Sequence, residues 1–184
     1  MINIKTLMFL FASLMIMGCS TTVKLNTYIS NPDAVNKDVY ISHEDLSNVY
    51  SSVGNLAEAM FPINIEIGEG LRDYSRIHLS PVKVLNPAST NLKGIYIKLN
   101  EFKINTIRHF PAATTYYAEL SLDVTVKDGK GNTVLSKTYT GKGGEQTYSN
   151  ANSVLAAGTT ATSSYAFNNA FREIAEDIKK LQLF

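Results

Sequence analysis

The sequence predicts an α+β fold, an antiparallel sheet with a long C-terminal amphipathic helix and one or two shorter helices packed on it. Three observations carry that expectation. First, Tyr116, Ala118, Leu120, Leu122, Val124 and Val126 alternate with Glu119, Ser121, Asp123, Thr125 and Lys127. Period two means a strand with one buried and one wet face. Second, Asp128, Gly129, Lys130, Gly131 and Asn132 supply turn residues that tolerate positive φ, and residues 133–140 return as a β-rich run. The two segments therefore read as an antiparallel hairpin. Third, Phe167, Ala170, Phe171, Ile174, Ile178 and Leu181 recur at helical spacing while charged residues occupy the other faces, the pattern of a helix with one apolar stripe.

In chain order, residues 23–29 are a candidate first strand. Leu46, Val49, Tyr50, Val53, Leu56, Ala57 and Met60 fit helical spacing, yet Gly54 and the β-branched pair at 49 and 53 also allow a strand over residues 49–53. Both alternatives stand for residues 44–60. Ile63, Ile65 and Ile67 alternate as a strand, after which Gly68, Glu69 and Gly70 turn the chain into a short helix over residues 71–79, limited by Pro81. Further on, Ile95, Ile97 and Leu99 are odd-numbered and Phe102 and Ile104 even-numbered. That change of phase predicts a bulge or sharp twist near Asn100 and Glu101. Gly141, Lys142, Gly143 and Gly144 read as a mobile turn after the hairpin, and the Ser, Thr, Asn and Ala of residues 147–164 as a solvent loop or contact segment. The closing helix ends with Lys179 and Lys180, cations that complement the helix dipole.

The 184 residues suit one compact domain with an appendage. Seventeen basic against sixteen acidic side chains leave no basic face to displace counterions from phosphate, so nucleic acid is not an expected partner. One cysteine excludes a disulfide framework and a Cys-rich zinc site. Ten Tyr and eight Phe provide for a real core.

The unevenness at the N-terminus is the most informative feature. Lys5 precedes an apolar run over residues 7–17, interrupted only by Ala12 and Ser13, and the run closes on Ile16, Met17, Gly18 and Cys19. Eleven residues fall short of the roughly 20 that span a bilayer as a helix. A positive start, a short apolar stretch and a small residue before a cleavage point make a secretory signal peptide. The four closing residues resemble the lipobox of bacterial lipoproteins: an aliphatic residue, a tolerant position, Gly or Ala, then Cys. The resemblance implies cleavage after Gly18, a diacylglyceryl group on the Cys19 thiol and an N-acyl chain on its new amino terminus. No other cofactor is expected, and no metal. Cleavage removes 18 residues, leaving 166 with sixteen basic and sixteen acidic side chains and no free thiol. Ser20, where an Asp would imply inner-membrane retention, implies the outer membrane, with the domain facing the periplasm if the host is Gram-negative.

The order of elements from residue 35 to 181 also resembles the small periplasmic lipoprotein domains of the YajG-like group and the auxiliary lipoproteins of ABC-type lipid transporters. Such families are largely non-enzymatic and envelope-associated. The implied organisation is a signal peptide over residues 1–18, an acylated cysteine with a short tether or first strand over 19–34, and a single α+β periplasmic domain over 35–184.

No motif supports catalysis. His43, Glu44 and Asp45 are the densest cluster of titratable groups, but adjacent side chains point different ways, and a polar helix start or loop, with Ser42 as candidate cap, explains them better. His78 and His109 lack a HExxH partner and read as surface or boundary side chains. There is no GxSxG elbow, and the glycines at 141–144 lack phosphate-loop spacing. No catalytic residue is assigned. Phe184 resembles the end of an outer-membrane barrel protein, without the strands of one. Three roles follow in order: a membrane-anchored envelope interaction or assembly module with a protein partner; an accessory that binds lipid or another hydrophobic ligand in a groove between sheet and long helix; and a cell-wall or glycan hydrolase, which needs convergent carboxylates or His in a polar cleft.

Overall fold

The computed structural model describes residues 21–27, 35, 37–51, 63–86, 88, 90–109, 113–144, 146–149 and 152–181, with the side chains at 108–114 and 146–156 left aside. The chain forms β1 (Thr21–Val23), β2 (Val39–Ser42), α1 (His43–Leu46), β3 (Tyr50–Ser51), β4 (Ile63–Ile65), α2 (Ile67–His78), β5 (Val82–Leu85), β6 (Gly94–His109), β7 (Ala113–Lys127), β8 (Thr133–Lys142), β9 (Gln146–Ser149) and α3 (Asn152–Lys180). The α+β class holds. A six-stranded sheet runs β5-β2-β6-β7-β8 with β9 also on β7, and a three-stranded sheet runs β1-β4-β3.

The alternating run forms the centre of the large sheet. Leu120, Leu122, Val124 and Val126 of β7 are fully buried, and α3 covers them with Phe167, Ala170, Phe171, Ile174 and Ile178. The hairpin turn is as expected: Asp128 Oδ1 accepts from the backbone N–H of Lys130 at 2.8 Å and of Asn132 at 2.9 Å, and Gly131 sits at φ 82°, where glycine meets no Cβ clash. The predicted bulge is also present. Leu99 pairs with Leu122 and Glu101 with Ser121, so Asn100 is the extra residue. Its effect is to put Phe102 opposite Leu120 and Ile104 opposite Ala118. The odd and even apolar runs of β6 thereby lie on one face of the sheet.

The sheets are mixed, because β2 pairs in parallel with both β5 and β6, and β1 with β4. The expected first strand is shorter and earlier, ending at Val23, and it joins the body through Thr21 opposite Ile63 and Val23 opposite Ile65. Of residues 44–60, α1 takes the beginning and β3 a short piece, and residues 52–60 lie outside the described residues.

Two expectations about glycine fail for one reason, close approach. Ile67 opens α2 instead of extending β4, and Gly68 and Gly70 lie inside that helix. A Cβ on Gly68 would overlap the Leu46 carbonyl, and one on Gly70 would stand 3.1 Å from the Phe167 ring. The glycines at 141 and 143 are likewise no mobile turn. Gly141 is buried in β8 with the Ala166 carbonyl where its Cβ would be, and Gly143 meets the Thr162 carbonyl in the same way.

The polar segment over residues 147–164 is not a loop either. It contains β9 and the first turns of α3. Thr159, Thr160, Thr162, Ser163 and Ser164 are buried, and the helix satisfies two of their hydroxyls locally: Ser163 donates to the Thr159 carbonyl at 2.6 Å and Ser164 to that of Thr160 at 2.7 Å. Thr162 Oγ1 accepts from the Ala118 N–H at 2.9 Å. Small hydroxyl side chains let the helix lie close to the sheet at no cost in unpaired groups. At the other end of α3, Lys137 of β8 bonds Glu173 and Asp177, both at 2.8 Å. With Lys180 added, these contacts hold the Asp177 carboxyl down to about 2, and burial with the Asp177 contact pushes the Tyr139 phenol up to about 12.

His78, expected near the surface, is 2% exposed at the end of α2, stacked against Tyr74 and Phe171. Burial pushes its imidazole below the ordinary 6.5; a hydrogen bond with Asn168 opposes this, while Arg172 and Lys179 reinforce it. The folded chain therefore favours the neutral ring. Below pH 6.5 the unfolded chain gains a proton that the folded chain resists, so stability falls as pH drops through that value. The expected result is an NMR titration midpoint for His78 below 6.5. A midpoint above it would mean the ring is not desolvated.

Candidate functional site

A groove of about 750 Å³ lies between the α1–β3 segment and the bulged middle of β6. Each wall follows from local sequence. Ser42 caps α1, its hydroxyl oxygen accepting from the Asp45 N–H at 2.9 Å while its O–H donates to Asp45 Oδ2 at 2.9 Å. This is the reciprocal satisfaction expected of a Ser placed three residues before an acid. The cap turns Glu44 and Asp45 into the groove wall. His43 is exposed and is not part of that wall, so the three neighbours do not converge.

After α1 the chain passes Asn48, whose carbonyl accepts from the Gly68 N–H at 3.0 Å. It then enters β3, where Tyr50 pairs with Ile65 and Ser51 with Asn64. Tyr50 meets Phe102 edge to face, with ring centroids 5.1 Å apart, and Phe102 in turn lies 6.1 Å from Phe167 in the core. The aromatic chain Tyr50–Phe102–Phe167 thus backs the groove with the interior of the domain. Ile97, Leu99 and Leu85 complete its apolar lining, and Glu101 its polar rim.

Chemically, the groove offers carboxylates, hydroxyls and an aromatic floor. Asp45 is engaged by Ser42, and Ser51 donates to Asn64 Oδ1 at 2.6 Å. Glu101 lies 3.5 Å from the Lys103 ammonium. Among the described residues no group of three His, Cys, Asp or Glu side chains is placed to hold a metal ion. The geometry suits recognition of a cationic, partly apolar group.

Glu44 and Asp45 stand out in the sequence but not as part of a groove, and Tyr50, Leu99, Glu101 and Phe102 do not stand out there as a set. The phase change at residues 100 and 101 was the available signal for β6. Nothing in the order of residues placed β3 beside it. Gly18, Cys19 and Phe184 lie outside the described residues, as does the side chain of His109.

The fold and the groove define a layered α+β domain, two sheets and a covering helix, with an open cleft beside a bulged central strand. No family model and no curated protein matches this chain. Among solved structures it is similar to the minor lipoprotein from Acinetobacter baumannii, with a TM-score of 0.40 and 12% identity over 82% of this chain and 96% of that one. A likeness of that degree carries no argument about role.

Proposed function

We propose that this protein is a lipid-anchored lipoprotein of the bacterial cell envelope, held by acyl chains on Cys19 at the outer membrane and facing the periplasm, where it acts as a non-catalytic interaction or assembly module. The observation that carries the anchor is the apolar run after Lys5 that closes on Ile16, Met17, Gly18 and the chain's single cysteine. Each buried methylene contributes roughly 0.8 kcal/mol, so two or three acyl chains hold a domain where one holds only marginally. Ser20 supports outer-membrane sorting. The fold adds a geometric support: β1 begins at Thr21, two residues past Cys19, a span of at most about 7 Å. The body would therefore sit directly at the bilayer surface. Among the described residues no helix is long and apolar enough to cross a membrane.

The interaction role is favoured over a lipid carrier because the space between sheet and α3 is filled by Leu120, Leu122, Phe167 and Phe171. An open volume lies instead at the groove, lined by Glu44, Asp45, Lys98 and Glu101. A charged rim suits a polypeptide better than an acyl chain.

Metabolic labelling with an alkyne fatty acid and intact-mass measurement test the anchor. The native protein is expected to take up label and to lack its first 18 residues, whereas Cys19→Ser accumulates as an unlabelled precursor. A native chain that keeps its leader and a free thiol would overturn the anchor. Recovery of a stoichiometric lipid, with no defined protein, from detergent-solubilised envelopes would overturn the interaction role.

A further inference from the structure

We propose that the groove takes an extended basic segment of a partner protein, a Lys or Arg flanked by an aliphatic or aromatic side chain. This rests on the interaction-module reading and gives the partner its chemistry. Three independent features converge on it. The first is charge. Three carboxylates, Glu44, Asp45 and Glu101, line the groove against one lysine, Lys98, which stands opposite Asp123 in the strand register. Lys103 is shared between Glu119 at 3.0 Å and Glu101 at 3.5 Å. The rim is thus complementary to a cation.

The second feature is an apolar floor of Tyr50, Leu99 and Phe102, with Val49 left 53% exposed at its margin. Its volume of about 750 Å³ admits a few side chains rather than a globular surface. The third is backbone. Among the described residues β3 pairs with β4 alone, at the edge of its three-stranded sheet. Tyr50 and Ser51 of β3 both line the groove, so an extended segment lying along them would place alternate side chains into it.

The test uses the full chain, purified in detergent with its anchor, and two fluorescent synthetic hexapeptides. One alternates lysine with leucine and phenylalanine; the other replaces each lysine with glutamate. Fluorescence anisotropy is expected to show the basic peptide binding at least about tenfold more tightly, with the preference fading in high salt. Glu44→Lys and Glu101→Lys are each expected to weaken it several-fold, and Glu176→Lys on the exposed face of α3 to leave it unchanged. A benzophenone amino acid in place of Val49 should cross-link to the basic peptide. Equal binding of both peptides, binding of neither, indifference to both charge reversals, or cross-linking of Val49 to a second copy of this chain would overturn the proposal. The acyl mass is read on the same sample. Lost peptide binding with the anchor intact sinks the groove alone, and binding by an unacylated chain sinks the anchor alone.

Discussion

Replacing Phe167 with Ala is expected to lower the unfolding free energy by about 4 kcal/mol, which shifts the melting temperature by roughly 10 °C for a chain of this length. Phe167 is fully buried and joins three parts of the molecule. Its ring lies 5.4 Å from Tyr74 of α2, 6.4 Å from Phe171 one helical turn on, and 6.1 Å from Phe102 beneath the groove. A Cβ at Gly70 of α2 would stand 2.5 Å from Leu25 Cδ1 and 3.1 Å from this ring, so the glycine keeps the space that both occupy. Removing the ring leaves a cavity that two helices and a strand cannot close together, because each is fixed by other contacts. Phe167→Leu retains most of the volume and should cost about 1.5 kcal/mol or less. Chemical denaturation of the three proteins gives the comparison. A loss under about 1 kcal/mol for the Ala variant would mean that α3 does not pack on the sheet at this point. The groove provides a second readout: with Phe102 unsupported, the Ala variant should also bind the basic peptide less tightly, and the Leu variant should not.

Gly141→Ala is expected to cost about 3 kcal/mol, although it adds one methyl group. The methyl would occupy the position of the Ala166 carbonyl oxygen, and Ala170 Cβ lies 2.9 Å away. A backbone carbonyl cannot rotate aside, so β8 and α3 must separate. That movement also strains the ion pairs of Lys137 with Glu173 and Asp177 further along the same contact. Gly144, three residues on, has nothing within 4 Å of its Cβ position. Gly144→Ala should therefore change stability by less than about 0.5 kcal/mol. Thermal melts of the two variants separate a packing requirement from a flexible one. Equal small effects would restore the expectation of a mobile turn.

The regular parts of this fold were legible because they obey a period. The β7 alternation, the turn at residues 128–132, the β6 bulge and the apolar stripe of α3 each follow from which face of an element meets water. The helix capped by Ser42 was legible for a similar reason, since a cap is satisfied within four residues. The failures share a different character. His78 is polar and sits in the core; Thr162 and Ser163 are polar and sit under the sheet; Gly68 and Gly141 are helix and strand residues without a side chain. In each case propensity points outward or toward a turn, and a neighbour far along the chain decides otherwise. A distant contact overrides a few tenths of a kcal/mol of local preference.

The same division separates the two functional features. The proposed anchor rests on residues alone, because processing of a leader would act on an extended segment before folding and need only four residues in a row. The groove was not, since Glu44, Tyr50, Leu99 and Phe102 come from three elements whose adjacency depends on strand order. Periodicity states which side of an element is apolar, and so determines the elements. Which elements become neighbours is settled only when all apolar faces are buried at once, and that global condition created the cleft.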